Sequence, residues 1–383
     1  MRRVALLIET SRSYGRDLLR GVKRYSLEQG PWSLFVEVRD LESQPPSWLR
    51  NWDGDGIITR SGSTAIAAEV RRARVPTIEL RSTRHGPWFP FVGVDNHEVG
   101  AMVARHFLER GFRNFGIFAL NAEEFFVERR ESFVASLKHA GYSCSVLLQS
   151  GRTEKPAGWE TQQQRLMSWI KQLPRPVAIM ACTDQLGCWL LDACSRLSVR
   201  VPEEVAIVGV ENDDVLTTVS TPPLSSVRLA GEQIGFTAAS LLDRLMRGER
   251  LRQRQTLIPP ICLETRQSSD IVAIEDRDLA QAVQLIRERA CSAFTVADIL
   301  MKVPISRSTL ERGFRQLLGR SPNQEIVRVK IERVCQLLRE TDLNLDQISR
   351  RTGFNTPQYM LEVFRKQMRM TPGAYRRRCA ATE

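Results

Sequence analysis

The chain contains no apolar run approaching the roughly 18 residues of a membrane span. Its first, Val4 to Ile8, is five residues long and stops at Glu9. A Met-Arg-Arg start followed by so short a run does not make a secretory leader. The run reads better as a buried strand, and the expected compartment is the cytoplasm. Histidine is scarce: His85, His97, His106 and His139 are all there are, and all precede residue 140. No two of the eight cysteines have the spacing of a zinc knuckle or a redox dithiol, and Cys182, Cys188 and Cys194 merely recur every six residues. Neither a metal site nor a cofactor is expected. The first strand is followed by Glu9-Thr10-Ser11-Arg12-Ser13-Tyr14-Gly15, which is neither a phosphate loop nor a dinucleotide fingerprint. A Gly-x-Ser-x-Gly elbow is missing too. These absences count against the rival from another class, a sugar kinase or dehydrogenase on an α/β domain.

What is present is an ordinary globular composition, 42% hydrophobic and 26% charged, over 383 residues. That is more than twice the length one core of about 150 residues needs. The charge is uneven. Residues 271–383 carry 20 basic and 13 acidic groups, a net of +7, whereas the first 270 carry only +4. A basic final third suits a polyanionic partner, because phosphate contacts supply most non-specific nucleic-acid affinity.

That final third contains a repeat with a period of 50 residues. Ser306, Leu310, Phe314, Arg315, Leu318 and Ser321-Pro322 recur as Thr356, Met360, Phe364, Arg365, Met368 and Thr371-Pro372. Each copy follows an apolar helical stretch, Phe294 to Met301 and Leu345 to Thr352, and a short break. Ser306 or Thr356 then opens the next helix as an N-cap. Two helices joined by such a turn form a helix-turn-helix, whose second helix can enter the major groove. On the first recognition helix Arg307, Ser308, Glu311 and Arg312 project outward; on the second, Thr356, Gln358, Leu361 and Glu362 do. Arginine suits guanine edges, glutamine adenine edges, and a carboxylate accepts from cytosine. Between the units, Asn323 to Glu340 forms a linker helix. About 15 residues of it span roughly 22 Å, and with its flanks it could set two recognition helices about 34 Å apart. Phe314, Phe364 and Tyr375 read as core, and the run Arg376-Arg377-Arg378 as either solvated or phosphate-bound.

These residues resemble the double helix-turn-helix domain of the arabinose-regulator (AraC) family. The second unit carries the resemblance most specifically, in Ile348-Ser349, Gly353-Phe354, Tyr359, Phe364-Arg365-Lys366 and Thr371-Pro372-Gly373-Ala374-Tyr375-Arg376. One departure is Met370, where that family usually has glycine before Thr-Pro; the first copy keeps Gly319.

The first 270 residues alternate strand and helix. Expected strands are Val4–Ile8, Leu34–Val38, Gly56–Thr59, Thr77–Leu80, Phe91–Val94, Asn114–Leu120, Ser145–Leu148, Ala178–Cys182 and Val205–Val210. Expected helices are Gly15–Glu28, Ala65–Arg72, Glu98–Arg110, Glu128–Ala140, Gln162–Gln172 and Gln185–Leu197. This pattern implies parallel sheets covered on both faces, and the length implies two α/β lobes. Ligands of such folds bind beyond the C-terminal strand ends, often between lobes. Polar groups stand there: Glu9-Thr10-Ser11 with Tyr14 and Arg16, Asp95-Asn96, Thr183-Asp184, and Glu211-Asn212-Asp213, with Arg129 in the first turn of the helix after Asn114–Leu120. Carboxylates, arginine, amides and aromatics together suit a polyhydroxylated ligand, whose hydroxyls need donors and acceptors. Phe125, Phe126 and Trp88 could cover the apolar faces of a sugar ring. Each has a plainer alternative: Asp95, Asp184 and Glu211 as helix caps, Arg129 as a surface ion pair, Trp88 as loop packing.

This region resembles the periplasmic-binding-protein-like effector domain of the lactose-repressor family. The matching pieces include Gly93-Val94-Asp95-Asn96, His106-Phe107-Leu108, Arg129 before Phe133, Ala181-Cys182-Thr183-Asp184, Val208-Gly209-Val210 and Pro222-Pro223-Leu224-Ser225-Ser226-Val227. The resemblance implies that Arg129, Thr183, Asp184 and Glu211 contact the sugar. That family usually has aspartate where this chain has Glu211. An effector domain placed before an AraC-type domain closely resembles the xylose-operon regulator family, with a junction at Arg266-Gln267-Ser268-Ser269-Asp270. The implied organisation is a sugar-binding effector domain of two α/β lobes over 1–268 and an all-α DNA-binding domain over 277–380. The implied function is a sugar-responsive activator of transcription, not an enzyme. It would be a homodimer acting on double-stranded DNA and RNA polymerase, with D-xylose or a related pentose as effector. Another sugar or a sugar phosphate is the alternative effector.

Overall fold

The computed structural model describes the chain apart from residues 41–42, 83–87, 122, 150–157, 272–275, 293, 342 and 381–383, and only the backbone of 277, 339, 340 and 378–380. His85 and the Arg378 side chain lie outside the described residues. The chain separates into two compact units, Met1–Ile271 and Val272–Glu383.

The first unit is built on two sheets, each six-stranded among the described residues. One comprises β1 (Arg2–Leu7), β2 (Trp32–Val36), β3 (Gly56–Thr59), β4 (Thr77–Glu79), β5 (Phe91–Val94) and a late strand, β11 (Gln255–Ile258). Its order is β11-β5-β4-β3-β1-β2, and every pairing is parallel. The other comprises β6 (Asn114–Leu120), β7 (Cys144–Gln149), β8 (Val177–Ala181), β9 (Val205–Glu211), β10 (Ser225–Arg228) and β12 (Cys262–Glu264), ordered β12-β10-β9-β8-β6-β7. Here β12 runs antiparallel to β10, a departure from the all-parallel expectation. Strands such as β8 are wholly buried, because helices cover both faces of a parallel sheet.

The covering helices are α1 (Ser13–Gln29), α2 (Thr64–Arg72), α3 (Asn96–Glu109), α4 (Glu124–His139), α5 (Trp159–Gln172), α6 (Asp184–Arg196), α7 (Asp214–Val219) and α8 (Gly231–Met246). Helix α1 buries Tyr14, Leu18, Val22 and Tyr25 as one stripe and packs along α8. Two glycines permit the close approach. A Cβ on Gly21 would lie 2.0 Å from the Glu232 carbonyl oxygen, and one on Gly235 2.0 Å from that of Leu18. Helix α4 starts four residues earlier than the sequence pattern suggested, since Phe126 belongs to the buried stripe with Arg129, Phe133 and Leu137. Arg129 therefore sits in the second turn, not the first.

The chain crosses between the lobes at Asp95, between β10 and α8, and between β11 and β12. Backbone hydrogen bonds tie these crossings together: the Asp95 N–H donates to Ile258 O and the Ile261 N–H to Arg228 O, both at 2.9 Å. Strands β10, β11 and β12 and helices α7 and α8 were absent from the sequence expectation. The short strands carry little periodicity, and β11 and β12 follow an arginine-rich stretch.

The second unit is helical: α9 (Arg277–Arg289), α10 (Val296–Lys302), α11 (Arg307–Leu318), α12 (Pro322–Glu340), α13 (Leu345–Arg351), α14 (Pro357–Met368) and α15 (Pro372–Ala380). One buried cluster joins Leu279, Ile286, Ile299, Leu310, Phe314 and Ile326; another joins Ile331, Val334, Ile348, Met360 and Phe364. Helix α12 contributes to both. Capping boxes open α10, α12 and α13. Phe314 and Phe364 are core, and the half-buried Tyr375 packs edge-on against Phe364. Arg376 is neither solvated nor poised for phosphate. Its guanidinium donates to the carbonyls of Leu338, Thr341 and Leu343 and satisfies the C-terminal end of α12.

The glycine departure in the second unit falls at Arg369, not Met370. Helix α11 ends on Gly319 with φ +67°, and α14 ends on Arg369 with φ +54°, each two residues before the Ser-Pro or Thr-Pro. Met370 instead packs against the second core cluster. A side chain in the left-handed region costs about 1–2 kcal/mol. Arg369→Gly is accordingly expected to stabilise the second unit by about 0.5–1 kcal/mol in urea unfolding. A midpoint unchanged or lowered would count against this account of the turn.

Candidate effector cleft and nucleic-acid interface

A cleft of about 920 Å³ opens between the lobes, lined from C-terminal strand ends on both sides. Ser11, Arg12 and Arg16 follow β1; Gly62 and Ser63 follow β3; Arg81 follows β4. Across from them stand Phe125 and Phe126 of α4, Gln185 of α6, and Glu211 and Asp213 at the end of β9.

Of the residues expected to meet a sugar, Arg16, Phe125, Phe126 and Glu211 line this cleft, and Arg129 is not among its lining residues. Arg16 Nη1 donates to the Thr10 carbonyl at 3.0 Å, and no carboxylate pairs with it among the described residues. Glu211 has a strained backbone, φ +111°, and its carboxylate lies 3.6 Å from Arg12 of the opposite lobe. Positive φ at a non-glycine residue is a mark of functional sites when the surrounding structure enforces it. Phe125 carries the Arg129 guanidinium 5.0 Å from its ring centroid and packs on Phe126 at 4.4 Å. Arg129 is buried; Nε donates to Asn96 Oδ1 at 2.9 Å and Nη1 to the Cys182 carbonyl at 2.7 Å. Burial lowers its pKa, and the nearby Glu211 works in the opposite direction.

The other expected contacts sit behind the wall. Tyr14 is buried with the Arg60 guanidinium 5.0 Å from its ring centroid, and burial pushes its hydroxyl pKa up to about 12. Thr183 is fully buried and caps α6 by accepting from the Leu186 N–H at 3.4 Å. Asp184, also fully buried, accepts from the Ser226 hydroxyl at 2.5 Å and the Asp213 N–H at 2.7 Å. It thereby anchors the loop that presents Glu211 and Asp213. Burial raises its pKa well above the usual carboxylate range, with Glu211 adding in the same direction. Asp95 caps α3, accepting from the N–H groups of His97 and Glu98 at 3.1 Å, and does not line the cleft. Trp88 is partly exposed, lies against Arg71 and is not a lining residue.

Sequence reasoning did not single out the ion pairs around the cleft. Glu9 and Arg60 form a buried pair at the ends of β1 and β3. Arg81, beyond β4, pairs with Glu123 at the entry to α4 at 2.9 Å. The signal that found Glu211, a polar residue just past a strand, was present at Arg60 and Arg81 as well.

In the second unit α10–α11 and α13–α14 are the two helix-turn-helix pairs. Ser306 and Thr356 are N-caps, accepting from the N–H groups of Thr309 and Tyr359 at 3.1 and 3.2 Å. Thr356 therefore spends an oxygen lone pair on the backbone. Arg307, Ser308, Arg312, Gln358 and Glu362 are exposed, whereas Glu311 and Leu361 are half-buried. Ser308, Glu311 and Arg312 line a shallow groove on α11 with Arg315 and Gln316. Arg315 and its repeat partner Arg365 are exposed and extend the two polar faces by another turn. The repeat displayed both arginines, yet they were not counted as base-facing. Among the described residues no group of three or more His, Cys, Asp or Glu is placed to hold a metal, and no helix is long and apolar enough to cross a membrane.

Family models match along the chain: an XylR N-terminal domain at residues 3–97, a periplasmic binding protein-like domain at 104–269 and a helix-turn-helix domain at 299–378. The xylose operon regulatory protein of Haemophilus influenzae is 31% identical over 98% of this chain and 98% of its own length. The protein of that name from Escherichia coli K12 is 30% identical over 98% and 96%. A solved structure of a xylose-binding transcription activator, xylR, superposes with a TM-score of 0.79 at 29% identity, covering 98% of this chain and 97% of its own. With relatives matched from end to end and both units in the same order, the chain belongs to the family of xylose operon regulatory proteins, which are transcription regulators and not enzymes.

Proposed function

We propose that this chain is a cytoplasmic, homodimeric activator of sugar-utilisation genes whose effector is D-xylose or a closely related pentose. The observation that carries the reading is the end-to-end match to xylose operon regulators, joined to a two-lobed cleft with polar strand ends. Arg16, Phe125 and Glu211 meet the sugar from the cleft wall, and Arg129 reaches it beside Phe125. Tyr14, Asp95, Thr183 and Asp184 hold those groups and the hinge in place. Sugar binding shifts an equilibrium between arrangements of the protein, which requires different affinities for the two. The exposed faces of α11 and α14 then read adjacent major-groove segments and present the promoter to RNA polymerase.

The test is a thermal-shift panel of pentoses, hexoses and their phosphates. Ligand at 100 times its dissociation constant adds about 2.7 kcal/mol, or roughly 5–10 °C in a unit of this size. A response confined to xylose or a near pentose supports the reading; silence toward every neutral sugar sinks it. One observation favours a second reading, a sugar phosphate: Arg16 faces the cleft with no carboxylate partner among the described residues. A shift with the phosphates alone would select it. On the DNA side, Arg312→Ala is expected to lose roughly 5- to 150-fold in operator affinity, the value of about 1–3 kcal/mol for a bidentate base contact. Unchanged affinity and sequence preference would mean that a different face of α11 meets DNA.

A further inference from the structure

Two contacts join the lobes along one side of the cleft. Arg81, just past β4 in the first lobe, donates from Nε and Nη2 to the two carboxylate oxygens of Glu123 at 3.2 and 2.9 Å. Both side chains are shielded, 5% and 12% exposed. Beside them the Ser82 hydroxyl donates to Glu124 Oε2 at 2.5 Å. Bidentate, shielded arginine–carboxylate pairs are the strong and geometrically specific kind.

Each of the two anchors of this contact is fixed within its own lobe. On the first lobe, buried Glu79 accepts through Oε1 from the N–H groups of Ser61, Leu80 and Arg81 at 3.0, 3.1 and 2.8 Å. The backbone that carries Arg81 is thereby tied to the ends of β3 and β4. On the second lobe, Glu123 is the extended residue preceding α4, and its side chain makes no cap to the helix. It turns to Arg81 instead. Helix α4 also carries Phe125, Phe126 and Arg129, so the contact and the ligand wall share one rigid element.

We infer that Arg81–Glu123, supported by Ser82–Glu124, is an interlobe latch that holds the lobes in the ligand-competent arrangement and so sets effector affinity. The inference rests on the cleft being the effector site. Apparent affinity equals intrinsic affinity multiplied by the fraction of molecules already competent. Breaking the latch lowers that fraction; because Arg81 and Glu123 also line the cleft, the opening of the ligand-free protein separates the latch from a direct ligand contact.

The experiment uses full-length protein carrying Arg81→Ala, Glu123→Ala, both together, and the exchanged pair Arg81→Glu with Glu123→Arg. D-xylose binding is measured by calorimetry, and lobe separation by small-angle scattering without ligand. Each single variant is expected to bind about tenfold more weakly and to scatter as a more open particle. The double variant should be no worse than the weaker single, and the exchanged pair should recover to within about threefold of the wild type. Losses that multiply in the double variant would overturn the latch, because the two residues would then act independently on the ligand. Unchanged affinity would overturn it as well. A wild-type protein that ignores D-xylose counts against the pentose assignment alone. The latch is then decided by the ligand-free scattering, where single variants identical to the wild type refute it.

Discussion

Arg129→Ala is expected to weaken effector binding by roughly 30- to 1000-fold, about 2–4 kcal/mol, while leaving DNA-unit stability unchanged. Arg129 is 3% exposed, and its guanidinium joins three separate pieces of the wall. These are Asn96 at the start of α3, the carbonyl of Cys182 just past β8, and the ring of Phe125. No acceptor stands at its Nη2 among the described residues, and on the proposed reading a ligand oxygen takes that place, although Arg129 is not itself a lining residue of the cleft. Truncation removes this donor, strands two buried acceptors and frees Phe125 to shift. Arg129→Lys should rescue little, because an ammonium cannot hold three directions with a planar fork. Titration calorimetry with the effector found in the thermal-shift panel decides the matter. Affinity within threefold of the wild type would remove Arg129 from the site.

Gly353→Ala is expected to destabilise the second unit by about 3 kcal/mol or more and to abolish specific DNA binding, with effector affinity intact. Gly353 has φ +67°, and a Cβ there would lie 2.7 Å from Cys291 backbone atoms and 2.8 Å from the Ser292 carbonyl oxygen. Main chain cannot yield as a flexible side chain can. The carbonyl of Gly353 itself accepts from Lys330 Nζ at 2.6 Å, so a shift of the turn disturbs α12 too. Gly319→Ala separates crowding from conformation: it has the same φ, +67°, but nothing within 4 Å, and should cost only about 1 kcal/mol. Equal losses at the two sites in denaturant unfolding would show that contact with Cys291 is unimportant.

The alternation of strand and helix and the 50-residue repeat were legible because both rest on hydrophobic period, which burial enforces directly. The roles of single polar residues were less so. Asp95 and Thr183 stand just past strands, where a ligand contact and a helix cap require the same kind of short polar side chain. Only the direction of the oxygen separates the two uses, and sequence carries no such direction. The pairs Glu9–Arg60 and Arg81–Glu123 join residues 51 and 42 positions apart, so only the folded sheet order brings them together. Arg376 looked like one more charge in a basic run, yet the ends of α12 and α15 meet and give it three carbonyls. Strand β11 was invisible for a different reason. Its partner β5 lies more than 160 residues earlier, and a short strand completing another strand's edge needs little pattern of its own.

Helix α12 belongs to both buried clusters of the second unit, and that has a consequence for the operator. Its 19 residues make a rod roughly 28 Å long whose two ends are each locked into a different core. On the proposed reading, the two recognition helices are therefore mounted on one ruler and not on a tether. Inserting one base pair between the two DNA segments turns the second by about 34° and moves it about 3.4 Å along the axis. A tether would absorb that change, whereas a ruler forfeits one of its two readings. The spacing between the segments becomes as much a part of the recognised sequence as the bases themselves.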